Sequence, residues 1–334
     1  MSIRATFNHA RFRPGSPAGH YESYFQRANH PSRPLAFWIR YTVFSPAGRP
    51  QDAIGELWAV WFDGESGRHV ALKREVLIAE CDFGTERFSV RIGDAHLLPG
   101  VLAGLTFSGG HRIAWQLNFR GDAAPAFLLP PKRYASRFPR AKSLVGLPMA
   151  RYDGVIEVDG QAHRIEDWVG SQNHNWGSRH TDHYAYGQVA GFDTHPDSFL
   201  DLATARIRLG PVWTPFLTPL VLRHGGREHA LTSIPQSLRA HGKFRYFEWN
   251  FSTQNDEVAI GGTIAAPREA FVALTYSNPP GGIKHCLNTK IGECRLDVLD
   301  KASGRTETLL ARNRALFEIV PAGLDPGHGI PIGA

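Results

Sequence analysis

Aromatic and β-branched residues recur along this chain in short bursts of period two, separated by Gly, Pro, Asp and Asn. The run LAFWIRYTVF at 35–44 puts Leu35, Phe37, Ile39, Tyr41 and Val43 on one face of an extended strand. Comparable runs at 56–62, 70–78, 87–92, 102–107 and 112–119 predict antiparallel strands in a barrel or sandwich. The stretch before them, to about Pro34, is rich in Pro, His and Arg and reads as a loop. Residues 124–148 contain Pro125, Pro130, Pro131, Pro139 and Pro148 and read as a long surface connection with one helical turn. Strands resume at 154–165, where Asp159-Gly160 is a two-residue hairpin signal that needs positive φ. A second series follows at 184–192, 199–209, 218–222, 244–251, 258–265, 270–276, 290–299 and 306–320. The two series hold similar strand counts without a repeat of residue identity. Helical periodicity is poor nearly everywhere, so few helices are expected.

A length of 334 residues favours two cores rather than one. The formal charge of +6 is scattered along the chain, which gives weak steering toward anionic surfaces. No RRM, zinc-finger or helix-turn-helix signature accompanies it, so nucleic acid is not an expected partner. Cys81, Cys286 and Cys294 are too few for a disulfide scaffold and fit a reducing compartment, with Cys286 and Cys294 read as buried small residues on neighbouring strands. The N-terminal residues lack an apolar leader core, and no stretch approaches 18 apolar residues. A cytoplasmic location is the expectation.

The segment SQNHNWGSRH at 171–180 concentrates the candidate chemistry. Extended, it places Gln172, His174, Trp176 and His180 on one face and Asn173, Asn175 and Arg179 on the other. The first face joins an acid/base group to aromatic surface, and a hydrogen-bonded core pair of His174 and Trp176 fits the same residues. In FLDLATARIRL at 199–209, Asp201 is the only charge on a face otherwise formed by Phe199, Ala203, Ala205, Ile207 and Leu209. Such a carboxyl is either paired or protonated with a raised pKa, and a neutral carboxylic acid in an apolar cavity can donate a proton. An Asp bonded to backbone amides at a strand entrance is the alternative. Tyr184 and Tyr186 share one face of the intervening strand and would line an aromatic cavity. His174, His180, His183, Asp182 and His195 are close in sequence but match no zinc spacing, so no metal is called for. No Gly-rich phosphate loop opens a helix, so no nucleotide or other cofactor is called for either.

The stretch GVIEVDG at 154–160, followed by WVGSQNHNWGSRH at 168–180, resembles the carotenoid 1,2-hydratase (hydroxyneurosporene synthase) and AttH-like superfamily. Tocopherol cyclase and lipocalin-like fungal Diels–Alderases are more distant likenesses. The specific core is Gln-x-His-Asn-Trp-Gly at 172–177. The resemblance implies an all-β fold of two tandem lipocalin-like antiparallel barrels, divided as 1–182 and 183–334, with a ligand cavity at or near their interface. It also implies protonation of an isoprenoid double bond by an acid, then capture of the cation by water or a hydroxyl. By position, His174 and Trp176 match the motif and Asp201 matches the acid, while Phe199 stands where a tyrosine would be expected.

Two readings follow. In the first, Asp201 is the general acid, His174 orients it or water, and Trp176, Tyr184, Tyr186, Gln172 and Phe199 surround an isoprenoid or polyene substrate. In the second, the same cavity belongs to a lipid or terpenoid carrier, and the polar residues anchor a head group. A third reading, a structural motif in an interaction module, predicts no enclosed cavity beside His174. The expected partner is a hydrophobic small molecule, with peripheral membrane contact left open.

Overall fold

A computed structural model describes residues 3–323 and 328–334. Its strands are β1 (His20–Asn29), β2 (Leu35–Ser45), β3 (Ile54–Asp63), β4 (Val70–Leu77), β5 (Cys81–Phe83), β6 (Val90–Ile92), β7 (Ala95–Leu98), β8 (Val101–Ser108), β9 (His111–Arg120), β10 (Ala126–Phe127), β11 (Ala141–Val158) and β12 (Gln161–Gly177). Then come β13 (His183–Ala190), β14 (Phe199–Arg206), β15 (Arg208–Leu209), β16 (Val212–Trp213), β17 (Leu220–His224), β18 (Arg227–Leu231), β19 (His241–Arg245), β20 (Glu248–Gln254), β21 (Val258–Ala265), β22 (Val272–Ser277), β23 (Ile283–Asp300) and β24 (Thr306–Val320).

The first twelve form one antiparallel sheet in the order β4-β3-β2-β1-β12-β11-β9-β8-β7-β6-β5, with β10 beside β11. β4 packs back over β8 and β9, so the sheet curls into a nearly closed barrel. A second, ten-stranded sheet runs β18-β17-β14-β13-β24-β23-β21-β20-β19, with β22 beside β23, and β15–β16 is a separate ribbon. The chain is therefore all-β, with two tandem lipocalin-like sheets, and the break between them falls between Gly177 and His183. Among the described residues, no helix is long and apolar enough to cross a membrane.

Alternation explains the packing. Leu35, Phe37, Ile39 and Tyr41 point into the first barrel, where they join Leu57, Trp115, Leu117, Tyr152 and Trp168 in one cluster. The opposite face of β1–β3 is also covered: Phe25, Trp38, Trp58, Val60 and Phe62 pack with Phe199, Leu202, Trp249 and Phe317 of the second sheet. Each such side chain contributes about 1.5–3 kcal/mol on removal from water. The outer wall of the first barrel is thus part of the core beneath the second sheet.

The Asp159-Gly160 hairpin forms as expected, with φ of 50° and 84°, and joins the long strands β11 and β12. Four expectations are corrected. The presumed N-terminal loop contains β1, inserted centrally between β2 and β12, because the ten residues HYESYFQRAN carry no Gly or Pro and supply Tyr21, Tyr24 and Phe25 as strand formers. The presumed connection 124–148 forms its helical turn at Pro131–Tyr134, but from Ala141 it is already β11, whose register slips at Leu147 and Ala150 accommodate Pro148. The run 244–251 turns at Phe247 (φ 76°) into two strands. Cys286 and Cys294 are buried as expected but lie on one strand, β23.

Candidate active site

β12 pairs on both edges, with β1 and β11, and residues 171–174 and Trp176 are buried. Gln172, His174 and Trp176 turn toward the N-terminal segment and the first barrel, whereas Ser171, Asn173 and Asn175 turn toward the second sheet. A side chain on Gly177, where the motif ends, would collide with the Arg140 carbonyl oxygen, which accounts for glycine there.

On the first face, His174 is fully buried, stacked on Tyr24 at 4.2 Å and packed on Trp176 at 4.6 Å. Its Nε2 donates to Glu22 Oε1 at 2.8 Å and its Nδ1 to the Phe7 carbonyl at 2.6 Å. Both nitrogens face acceptors, so each ring edge is fixed by one hydrogen bond and Nε2 holds the buried Glu22 carboxylate. Glu22 also accepts the backbone N–H groups of Arg11 and Phe12 at 2.8 Å and bonds His20 at 3.0 Å. Burial pushes its carboxyl up, but the hydrogen bonds from His174 and His20 outweigh burial and hold it at about 2. Gln172 exchanges amide hydrogen bonds with Asn8, and Arg11 lies over Trp176 at 5.3 Å. This cluster fastens residues 6–12 to the barrel, and all of its hydrogen-bonding capacity at Glu22 is used.

The second face meets the other sheet through a chain of polar groups. Arg27, fully buried, donates to Gln188 Oε1 at 3.0 and 3.1 Å, to Ser171 at 3.2 Å and to Asn29 at 2.9 Å. Gln188 Nε2 in turn donates to Asn173 Oδ1 at 3.0 Å and Asp201 Oδ1 at 3.2 Å. Tyr186 donates its hydroxyl to Asp201 Oδ1 at 2.8 Å. Asp201 Oδ2 is buried without a partner in the structure. Burial raises the Asp201 carboxyl to about 6, against the opposing hydrogen bonds of Tyr186 and Gln188. Burial, with Asp201 beside it, also keeps Tyr186 a neutral phenol.

Tyr186 is the link to open space. Together with Tyr21, Phe25, Asn175, Tyr184 and Glu318 it lines a cavity of about 270 Å³ between the two sheets. Leu128, Leu129, Pro130, Leu217 and Pro219 make much of the wall apolar, and Arg133, Lys142 and Arg206 border it as cations. His180 also lines it, stacked on Tyr21 at 3.8 Å and pushed down to about 3 by desolvation and by Arg40, so it is neutral. Asn175 Oδ1 is a second buried acceptor without a partner, and Asn175 lines this cavity. A larger groove of about 1490 Å³ is shallow and rimmed by Arg33, Asp63, His69 and Arg268, with no comparable buried acid.

Of the residues singled out from sequence, Tyr184 and Tyr186 line this cavity, and Asp201 lies one hydrogen bond behind Tyr186. His174, Trp176 and Gln172 do not, because alternation sends them to the other face of β12. The expected action of His174 on Asp201 is therefore corrected, and it is Asn175, on the face opposite His174, that reaches the cavity. Phe199 is packed in the core, and the phenol that its position lacks is supplied by Tyr186 on the neighbouring strand, where Gln188 pairs with Asp201. Glu22, Arg27 and Gln188 were missed. The first two lie on β1, where alternation of Tyr21 and Phe25 with Glu22 and Tyr24 was the available signal.

No protein-family profile and no curated protein matches the sequence. Solved structures do match the fold. An AttH-like protein of Nitrosomonas europaea superposes with a TM-score of 0.57 at 11% identity, covering 90% of this chain and 91% of the other. Kievitone hydratase from Nectria haematococca gives 0.57 at 9% identity, covering 96% and 95%. CghA with Sch210972 gives 0.51 at 11% identity, covering 94% of each chain. Over nearly its whole length this chain shares the fold of those proteins.

Proposed function

We propose that this chain is a hydratase- or cyclase-type enzyme that protonates an alkene of a hydrophobic substrate held between the two sheets. The observation that carries this reading is the Tyr186–Asp201 pair: a buried carboxyl with a raised pKa and an unpartnered oxygen, one hydrogen bond behind a phenol in the cavity wall. When Asp201 is ionised, the Tyr186 O–H points at it. When Asp201 is protonated, it can donate to the phenol oxygen and release the Tyr186 proton toward the cavity. Transfer of that proton to an alkene carbon leaves a carbocation beside the rings of Tyr21, Tyr184 and Phe25, with neutral His180 adding no opposing charge. Water or a substrate hydroxyl donating to Asn175 Oδ1 would attack the cation, and the proton it loses returns through Tyr186 to Asp201. An isoprenoid or polyene suits the apolar wall, and the bordering Arg and Lys residues suit an oxygen function on the same molecule. Kievitone hydratase shares the fold, which supports hydration as chemistry this scaffold accommodates.

The test is turnover of a panel of hydroxylated polyenes and prenylated phenols, followed by mass spectrometry. Asp201→Asn should lower kcat by about 10²–10⁴-fold, the usual contribution of a general acid, with binding retained. If wild type binds the panel and returns every member unchanged, the protein is a carrier and the catalytic reading fails.

A further inference from the structure

At one end of the second sheet, three potential metal ligands from three separate segments meet. His195 lies in the 191–198 connection after β13, His224 ends β17, and Glu307 lies near the start of β24. Nitrogen or oxygen atoms of all three fall within 4.8 Å of one another, and all three residues are half-buried. Both imidazoles aim Nε2 at the same oxygen, Glu307 Oε2, at 2.8 Å for His224 and 3.5 Å for His195.

The surroundings orient each group. His224 Nδ1 is bonded to Ser198 Oγ at 2.8 Å and His195 Nδ1 to Thr194 Oγ1 at 2.9 Å, so in both rings the nitrogen facing Glu307 is the one left over. The other Glu307 oxygen is occupied by Arg305 at 3.0 Å, which leaves Oε2 as a single inward-facing ligand. The 191–198 connection is itself pinned to β24. Asp193 donates its N–H to the Leu310 carbonyl at 2.7 Å, Leu310 donates to Thr194 Oγ1 at 3.0 Å, and Arg312 donates to Asp193 Oδ2 at 2.7 Å. Metal-binding histidines characteristically engage the second ring nitrogen in this way, and a fixed backbone lowers the cost of bringing the ligands together.

We propose that His195, His224 and Glu307 form a binding site for a divalent transition cation of the Zn²⁺ class, which clips the 191–198 connection to β17 and β24. Two imidazoles and one carboxylate favour Zn²⁺ over Mg²⁺ or Ca²⁺, which prefer oxygen-only sets. Tetrahedral bonds of about 2.1 Å separate ligand atoms by about 3.4 Å, so small side-chain rotations open the present contacts enough to admit the ion. Water fills the fourth position. The site is distinct from the inter-sheet cavity, whose lining includes none of the three residues.

Metal-stripped full-length protein titrated calorimetrically with ZnCl₂ should show one saturable site per chain, with MgCl₂ giving none, and Co²⁺ should produce the visible absorption of a tetrahedral nitrogen/oxygen site. His224→Asn and Glu307→Gln should abolish that site. Ser198→Ala, which keeps all three ligands, should weaken it by about 10–100-fold. Circular dichroism of each variant confirms the fold, and the Ser198→Ala result stands even where a ligand variant unfolds. Absence of a saturable zinc site in wild type, equal binding of Mg²⁺, or undiminished zinc affinity in folded variants would each overturn the proposal.

Discussion

Two buried carboxylates, Glu22 of β1 and Asp201 of β14, lie on opposite sides of β12 in opposite condition. Toward the first barrel, Glu22 is held at about 2 with both oxygens hydrogen-bonded to His174, His20 and the backbone of residues 11–12. Toward the second sheet, Asp201 rises to about 6 and one oxygen has no partner. Both groups are nearly inaccessible, at 0% and 1% exposure, so burial alone does not distinguish them. The difference lies in the donors. A carboxylate whose acceptors are all filled is a fastener, and one left incomplete beside a cavity has capacity for a proton or ligand.

The sharpest way to break this comparison is to remove each charge. Glu22→Gln removes the buried carboxylate that binds His174, His20 and the Arg11 and Phe12 amides together and should cost about 3–5 kcal/mol in urea denaturation. An equal loss in Asp201→Asn would erase the distinction between the faces. The pH dependence should also run in opposite directions. Because Glu22 falls from 4.5 to about 2 on folding, its contribution is complete above pH 4.5 and is lost as pH drops toward 2, a change of about 3 kcal/mol. Because Asp201 rises from 3.8 to about 6, its stabilisation is complete below pH 3.8 and is lost as pH climbs to 6, a change of up to about 3 kcal/mol. Denaturation of wild type, Glu22→Gln and Asp201→Asn from acid to neutral pH resolves both slopes. In Asp201→Asn the second should vanish, leaving a variant at least as stable as wild type at pH 7 while its turnover falls. The smallest effect is expected for Tyr186→Phe, which removes the hydrogen bonds of its hydroxyl with Asp201 and Gln188 and about 1–2 kcal/mol. Its kcat should nonetheless fall with little change in KM.

Most strands could be read from period-two runs, because packing on both sides of the sheets rewards the aromatic and β-branched residues that carry that signal. The Asp159-Gly160 turn was legible for the same local reason. β1 was not, since its polar residues Glu22, Gln26, Arg27 and Asn29 resemble loop composition until their partners, far away in sequence, are known. Asp201 stood out as a lone charge on an apolar face, and the structure does bury it. Alternation also predicted that His174 and Asn175 separate to opposite faces. It could not say which face meets the second sheet, because that depends on where β1 and β13 lie.

The insertion of β1 between β2 and β12 bears on how the chain is made. Glu22 and His174 are 152 positions apart, and the ladder from Tyr21 to Asn29 needs Val169 to Gly177. During synthesis the first sheet stays open, with one edge of β1 unpaired, until the end of β12 has emerged. Closure joins residues of high sequence separation, so it belongs among the slow events of folding. A chain interrupted before Gly177 presents a long unpaired edge, the kind of surface that recruits other strands. Truncations ending before β12 should therefore aggregate, whereas the complete first barrel covers that edge with its own strand.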